Sequence, residues 1–407
     1  MLLVAAIAVV FFTSTPPGAL LATTVWGQST EWALTALPLF VWMGEILVRT
    51  KLADDMFNGL APWVARVPGR LVHVNVLGCG LFAAVSGSST ATTATIGRIN
   101  LTELRKRGYQ DSIVLGSLAG SGTLGILIPP SIIMIVYGVA ADVPITHLFI
   151  AGVLPGIMLM ALFSGYIAVH ALLNPTLYPA PDRRLSLVEK ISASRRLIPT
   201  LALIVAVIGS IYLGIATATE AAGVGVVGAL VIAAASRTLT WESFKLSVMT
   251  ATRTNCMIFF ILAGSAFLSG AMGFTGIPRL LATYAGDSQI SPANLIIVLT
   301  LLMIVLGCFI DGISLVVLTT SVLMPMVVAA KIDPLWFGIY LVVVVEMGLV
   351  TPPVGFNLFV IQALTNRNLF YIGKVATPFF LLMVVAVLIL WWYPEIATWL
   401  PAKLTAR

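Results

Sequence analysis

The chain has 407 residues, of which 59% are hydrophobic and only 9% charged, with a formal net charge of +6 and a mean hydropathy of +1.05. Soluble domains carry roughly 25% charged residues, so the composition excludes a water-soluble globular protein, and the surplus of positive charge speaks of membrane topology rather than nucleic acid. Cys79, Cys256 and Cys308 lie in apolar runs without CxxC or Cys/His spacing, which excludes a disulfide framework and a zinc site and leaves them as buried packing residues.

Met1 to Phe12 opens the chain as an apolar stretch without the basic start of a secretory signal, and it is short for a crossing, so the first crossing is left unassigned. A spanning helix needs about 20 apolar residues. Runs of that kind follow at Leu34 to Val48, Ile113 to Ala140, His147 to Leu173, Leu197 to Ala216 and Ala221 to Ala235. They continue at Met257 to Met272, Leu295 to Ile310, Ile313 to Ala330, Trp336 to Leu364 and Val375 to Tyr393. The expectation is an all-α integral membrane protein, a helical bundle of about ten or more membrane segments. Phe57 to Arg70 and Leu239 to Val248 mix aromatic and basic residues, as segments at the membrane interface do. Asn174 to Arg196, with Asp182, Arg183, Arg184, Glu189 and Lys190, is the one substantial polar connection and reads as a cytoplasmic linker between residues 1–173 and 197–407. His73, His147 and His170 are scattered and suit interfacial or capping positions.

If residues 71–99 and 293–330 each dip into the membrane and return, all of the 22 Lys and Arg except Arg279, Lys331, Lys403 and Arg407 fall on one side. The positive-inside rule makes that side cytoplasmic. Making either dip a simple crossing spoils the bias downstream.

Two proline pairs then mark an internal repeat: GTLGILIPPSI at Gly122 to Ile132 and EMGLVTPPVGFN at Glu346 to Asn357. Each interrupts a long apolar run, at about 111–140 and 336–364. Proline removes an N–H and clashes with the preceding turn, and backbone freed in this way survives in hydrocarbon only where it lines a cavity or is packed in protein. Upstream of each pair a polar break divides an apolar hairpin, SGSSTATT in the first half and CFIDGISL in the second, and the distance from Ser86 to Pro129 nearly equals that from Asp311 to Pro352. The first hairpin enters from the cytoplasm and the second from outside, so the halves are inverted, the pattern of a secondary transporter.

Asp311 is the sharpest residue. A charge at the helix centre costs roughly 2.5 to 3.5 kcal/mol even on the lenient scale, and from Met257 to Ala330 the only basic side chain is Arg279. Oxygens are hard ligands, so Na+ is a reasonable partner for Asp311, Gly312 and Thr351, with protonation of Asp311 as the rival. Ser86, Ser88, Gly125 and Pro129 could form a similar cage in the first half. Half-helix N-termini after each break suit an anion, which Ser89, Thr92, Thr93, Ser131 and Asn357 could hold, although such hydroxyls also bond helix to helix. Thr217 and Glu220 fit a capping box, Glu45 and Glu346 fit bonding to neighbouring backbone, and Gly116 with Gly120 fits close helix packing. No Walker A, GxSxG or HExxH pattern occurs, which leaves ATP-driven pumping and the common hydrolase chemistries without support.

VNVLGCGLFAAVSGSS, RGYQ, LGILIPPSIIMIVYGV, LFIAGVLPGIML, TATEAAGVGVV and EMGLVTPPVGFNLFVI together resemble, in order and over nearly the whole chain, the large membrane subunit (DctM-like permease) of TRAP (tripartite ATP-independent periplasmic) transporters. The resemblance implies an ion-transporter-superfamily fold: two inverted repeats, each with a re-entrant hairpin and a broken transmembrane helix, forming an elevator-type transport domain in a scaffold. It implies sodium-coupled import of a small organic anion across the bacterial inner membrane, with Na+ as coupling ion, no other cofactor and no enzymatic activity. A small four-helix membrane subunit and a periplasmic solute-binding protein would be its partners. By position, Ser86, Ser88 and the segment around Gly125 match one family sodium site, and Asp311 with Thr351 matches the other. Two departures stand out: family members commonly carry an acidic residue where this chain has Thr92, and they begin with a longer apolar helix. An autonomous Na+- or H+-coupled carboxylate carrier, and more remotely an intramembrane enzyme or structural subunit, are the alternative readings.

Overall fold

The computed structural model describes residues 2–13, 16–180, 185–276, 280 and 291–405. Asp182, Arg183, Arg184, Arg279 and Arg407 lie outside the described residues. Within those described, all regular structure is helical. In chain order the helices are α1 (Leu2–Phe12), α2 (Pro17–Ser29), α3 (Ala36–Val48), α4 (Leu52–Val64), α5 (His73–Ser86), α6 (Ser89–Lys106), α7 (Asp111–Thr123), α8 (Ile132–Ala141) and α9 (Ile145–Leu173). After the polar connection come α10 (Leu187–Ser194), α11 (Ile198–Tyr212), α12 (Ala218–Ala235), α13 (Trp241–Thr275), α14 (Pro292–Gly307), α15 (Gly312–Ala329), α16 (Pro334–Leu349), α17 (Phe356–Thr365), α18 (Leu369–Trp392) and α19 (Glu395–Thr405).

Among the described residues six helices are long and apolar enough to cross a bilayer, or seven if the pair bent by 57° at the α2–α3 junction is one span. Other runs expected as membrane segments fold as shorter apolar helices. The apolar runs 113–140 and 336–364 are each split at a proline pair, into α7 and α8 and into α16 and α17, and none of the four pieces reaches spanning length. Both pairs, Pro129-Pro130 and Pro352-Pro353, are joined by cis peptide bonds. The spanning helices turn apolar faces outward at helical spacing, Val224, Val227 and Val231 on α12 and Leu381, Val385 and Leu388 on α18, as lipid contact requires. Cys256, expected to be buried, is on such an exposed surface, whereas Cys79 and Cys308 are buried.

The hairpins are visible in what their ends touch. The backbone N–H of Leu71, at the entry to α5, donates to the Tyr109 hydroxyl just after α6 at 3.2 Å, so this hairpin leaves where it enters. Asp111, the next helix start, accepts from Arg105 at the end of α6 (2.8 Å) and from Arg367 after α17 (2.6 Å). One face therefore gathers basic residues from both halves, as the positive-inside reading expects. On the same face Arg49 donates to Thr250 Oγ1 (3.0 Å). The polar connection docks there too, where Trp63 Nε1 donates to Ser194 Oγ (2.6 Å) and Lys190 stacks 5.6 Å from the Trp63 ring. At another face Glu31, Asp142, Pro144 and Thr217 surround a cavity of about 340 Å³.

The two halves interlock by exchange. The first arm of each hairpin packs on the first half of its own broken helix, α5 on α7 and α14 on α16. The second arm packs on the far piece of the other repeat's broken helix, α6 on α17 and α15 on α8. The long helix after each break follows the same rule, α9 touching α16 and α18 touching α7. Such reciprocity is what an inverted pair related by a pseudo-two-fold axis produces. Outside this unit α3 packs on α12 and α13, and α1 and α2 pack on α13.

Candidate functional site: two hairpin tips on two broken helices

The tip of the first hairpin is Gly87 and Ser88. Gly87 ends α5 in the left-handed region (φ +61°), which glycine alone enters without strain, and its carbonyl accepts from Ile132 N at 3.3 Å, just past the first proline pair. A Cβ at Gly87 would lie 2.7 Å from the Pro130 carbonyl oxygen, so tip and break are in direct backbone contact. Ser88 caps α6, its Oγ accepting from Ala91 N at 3.4 Å. Ser86 Oγ donates to Thr92 Oγ1 (2.8 Å), which in turn donates to the Ser88 carbonyl (2.7 Å). Gly125 lies against this network: a Cβ there would meet Ser88 O at 2.5 Å and Thr92 Oγ1 at 2.7 Å. Ser86, Ser88, Thr92 and Gly125 are thus one cluster of oxygens and bare backbone, with Pro129 buried in the adjoining loop.

The second tip is built alike. The Cys308 carbonyl accepts from Val354 N at 3.2 Å, just past the second proline pair. Asp311 caps α15, its Oδ2 accepting from Ser314 N at 3.0 Å. The partner that Asp311 requires is therefore first of all the N-terminal dipole of α15, and the side chain is only partly buried. Gly312 is wedged against Ile133 of α8 and Val345 of α16, where a Cβ would meet each at 2.9 Å. Thr351 Oγ1 donates to the Met347 carbonyl (2.6 Å), so its hydroxyl closes the end of α16, and no hydrogen bond joins it to Asp311.

The residues expected to face an anion divide. Ser89 Oγ accepts from Asn357 Nδ2 (2.6 Å) and donates to the Gly122 carbonyl (3.1 Å), tying the first hairpin to both broken helices. Thr93 is buried against Gly122 and its Oγ1 has no partner. Ser131 Oγ donates to the Ile126 carbonyl (2.5 Å) and caps α8, which occupies it in the break itself. Thr92 belongs with Ser86 and Ser88 rather than with Ser89. Sequence reasoning missed a buried amide relay, Asn100 Nδ2 to Asn75 Oδ1 (2.8 Å) and Asn75 Nδ2 to Ser117 Oγ (2.9 Å), which fastens both hairpin arms to α7. Polar residues in an apolar run were the available signal. Glu346, expected to bond to neighbouring backbone, instead contacts Thr123 of the other repeat, and Glu45 pairs with Arg49. Glu220 does complete the capping box with Thr217, and Gly116 and Gly120 press on Val375 and Phe379 of α18.

The family model for "Tripartite ATP-independent periplasmic transporter, DctM component" matches residues 1–396. The chain belongs to the DctM family of TRAP transporters. It is 32% identical over 382 residues, 94% of this chain and 89% of the relative, to the C4-dicarboxylate TRAP transporter large permease protein DctM of Pseudomonas aeruginosa. The ectoine/5-hydroxyectoine permease UehC of Ruegeria pomeroyi is 32% identical, covering 90% of this chain and 86% of the relative. The sialic acid permease SiaM of Vibrio cholerae is 27% identical, covering 92% and 87%. In fold the chain is similar to the crystal structure of the YdaH transporter of Alcanivorax borkumensis, with a TM-score of 0.61 at 13% identity, over 94% of this chain and 88% of that one. This TRAP permease is a multi-pass membrane transporter subunit and not an enzyme, and its family implies a small membrane subunit and a periplasmic binding protein as partners.

Proposed function

We propose that this permease imports a small organic anion across the bacterial inner membrane by sodium-coupled secondary transport, the anion being delivered by a periplasmic binding protein. A separate small four-helix subunit completes the complex. Relatives named for C4-dicarboxylates make that class the first substrate to try. The observation that carries the reading is the cluster of Ser86, Ser88 and Thr92 oxygens set against Gly125 at the break. Hydroxyl and carbonyl oxygens suit a hard cation, and Asp311 with Gly312 and Thr351 offers the same donor types in the other repeat. Hairpins and broken helices then move together as an elevator, with the α3, α12 and α13 group as part of the scaffold. Ser89, Thr93 and Asn357, between the tips, are the substrate-facing set. Each net positive charge moved inward gains about 2.3 kcal/mol per 100 mV, so two Na+ with a dianion draw on the sodium gradient alone.

The test is succinate uptake by proteoliposomes containing this chain, its small subunit and its binding protein, with and without an inward Na+ gradient, in wild type and Asp311→Asn. Uptake that requires Na+ and collapses in a normally folded variant supports the reading. Uptake that ignores Na+ and follows pH makes Asp311 a proton site. Uptake without the binding protein favours an autonomous carrier.

A further inference from the structure

Glu346 lies in the last turn of α16, fully buried, with Oε1 lacking any hydrogen-bond partner and Oε2 3.3 Å from Thr123 Oγ1. Thr123 is the last residue of α7, so this contact joins the two repeats at the ends of their first half-helices. Thr123 has one hydroxyl hydrogen, and it is directed at the Gly120 carbonyl at 2.7 Å. A carboxylate at 3.3 Å would have to share that hydrogen with the closer carbonyl, whereas a protonated carboxyl supplies its own. A second consideration agrees: the carboxyl sits where two helices end, and helix C-termini carry partial negative charge that disfavours an anion and favours a donor.

We propose that Glu346 is a proton site, a carboxylic acid that donates to Thr123 Oγ1 and pins the break of the first repeat to the broken helix of the second. Among the described residues Glu346 makes no ion pair. The elements packed on α16 bring no compensating charge to it. Asp111 lies at the far end of α7, about 18 Å from Thr123 at 1.5 Å per residue, and is held by Arg105 and Arg367. Tyr137 of α8 donates to Pro334 at the other end of α16, and Tyr340 bonds to Ile296 and Thr300. His147 and His170 occupy the two ends of α9, with Tyr166 one turn before His170, and Tyr371 and Lys374 the first turns of α18. Asp311 caps α15, Glu395 and Lys403 are on α19, and α14 and α17 contain no ionisable side chain. The bound proton keeps this crossing of the repeats neutral, so that the charge moved in a transport cycle is set by other groups.

The proposal stands apart from sodium coupling, and so does its test. Infrared spectra of the purified full chain in detergent are compared for wild type and E346Q. The expected result is a protonated-carboxyl C=O band present in wild type and missing in E346Q, equal in Na+ and K+ and still present at neutral pH, where an ordinary glutamate is ionised. Glutamine can still donate to Thr123, so E346Q melts with wild type while E346A melts several degrees lower. Identical spectra for wild type and E346Q, or a wild-type band that vanishes when Na+ replaces K+, overturns the proposal, as does E346Q melting as low as E346A. Should E346Q fail to fold, the wild-type sodium and pH series decides alone. Uptake that proved independent of sodium would leave the band in place.

Discussion

Gly125→Ala probes the first hairpin site directly, because the added Cβ would lie 2.5 Å from the Ser88 carbonyl oxygen and 2.7 Å from Thr92 Oγ1. Neither atom yields freely. The carbonyl is backbone, and the hydroxyl is held between Ser86 and Ser88. The tip must retreat by roughly 0.5 to 1 Å, and overpacking of this kind costs about 1 to 3 kcal/mol. If that cost falls on the state in which the tip and the break together hold a cation, the half-saturating Na+ concentration for uptake rises by about 5- to 150-fold. The assay is initial uptake rate against Na+ concentration in proteoliposomes, with melting temperature measured in Na+ and in K+ as a check on folding. Gly165→Ala is the control, since nothing lies within 4 Å of its added Cβ. An unchanged sodium dependence in a folded Gly125→Ala protein would remove the Ser86, Ser88 and Gly125 cluster from the ion path.

Ser89→Ala leaves the fully buried Asn357 without its hydroxyl partner and costs about 1 to 3 kcal/mol, read as a lower melting temperature, whereas Ser89→Thr retains the bond and much of the stability. Burial pushes the Asp111 carboxyl up, but bonds from Arg105 and Arg367 outweigh it and hold it below the ordinary 3.8. Its contribution is therefore complete above that ordinary value and is lost as pH falls through the lower folded one. Asp111→Asn should lower the melting temperature at neutral pH and flatten this acid limb in thermal unfolding between about pH 2 and 6. Gly116→Ala places a Cβ against the Val375 carbonyl and is expected to abolish the folded monodisperse peak in detergent chromatography, while Gly223→Ala, with nothing within 4 Å, leaves it intact.

The breaks were legible because proline and glycine act locally. A proline pair in an apolar run disrupts the helix wherever the run ends up, and Pro129-Pro130 and Pro352-Pro353 do so at the positions read from sequence. The first hairpin was legible for a similar reason, since Gly87 and the serines around it cannot continue a helix cheaply. Tertiary pairing was not legible. Ser89 and Asn357 are 268 residues apart, and nothing in the period of either helix announces that they meet. The lengths of the membrane segments were less legible, because hydropathy registers apolar runs and not where a helix breaks within them, so several runs read as single segments fold as shorter apolar helices. Asp311 illustrates a subtler gap. The cost of a charge within the membrane was correctly seen to demand a partner, yet the spacing from Asp311 to Ser314 is that of a helix N-cap, which meets part of the demand from within the hairpin.

The exchange of hairpin arms bears on how the two proposed cation sites would communicate. Coupling between sites requires that occupying one alter the free energy of the arrangement that occupies the other. Here α6, whose N-terminus forms the first tip, packs on α17, which begins just past the second proline pair, and α15, which begins at the second tip, packs on α8, which begins just past the first. Ser89 fixes the first of these crossings through Asn357, and Gly312 the second through its contact with Ile133. In the sodium-coupled reading proposed above, a cation drawing the first tip toward Gly125 would also move the helix on which α17 rests. No separate relay between the sites is needed, because each tip is a wall of the other's support. The physical warrant for cooperative loading is this shared frame, and it predicts that Ser89→Ala, remote from Asp311, shifts the sodium dependence toward lower cooperativity. A Hill coefficient unchanged in Ser89→Ala would mean that the two tips bind independently despite their interlocked arms.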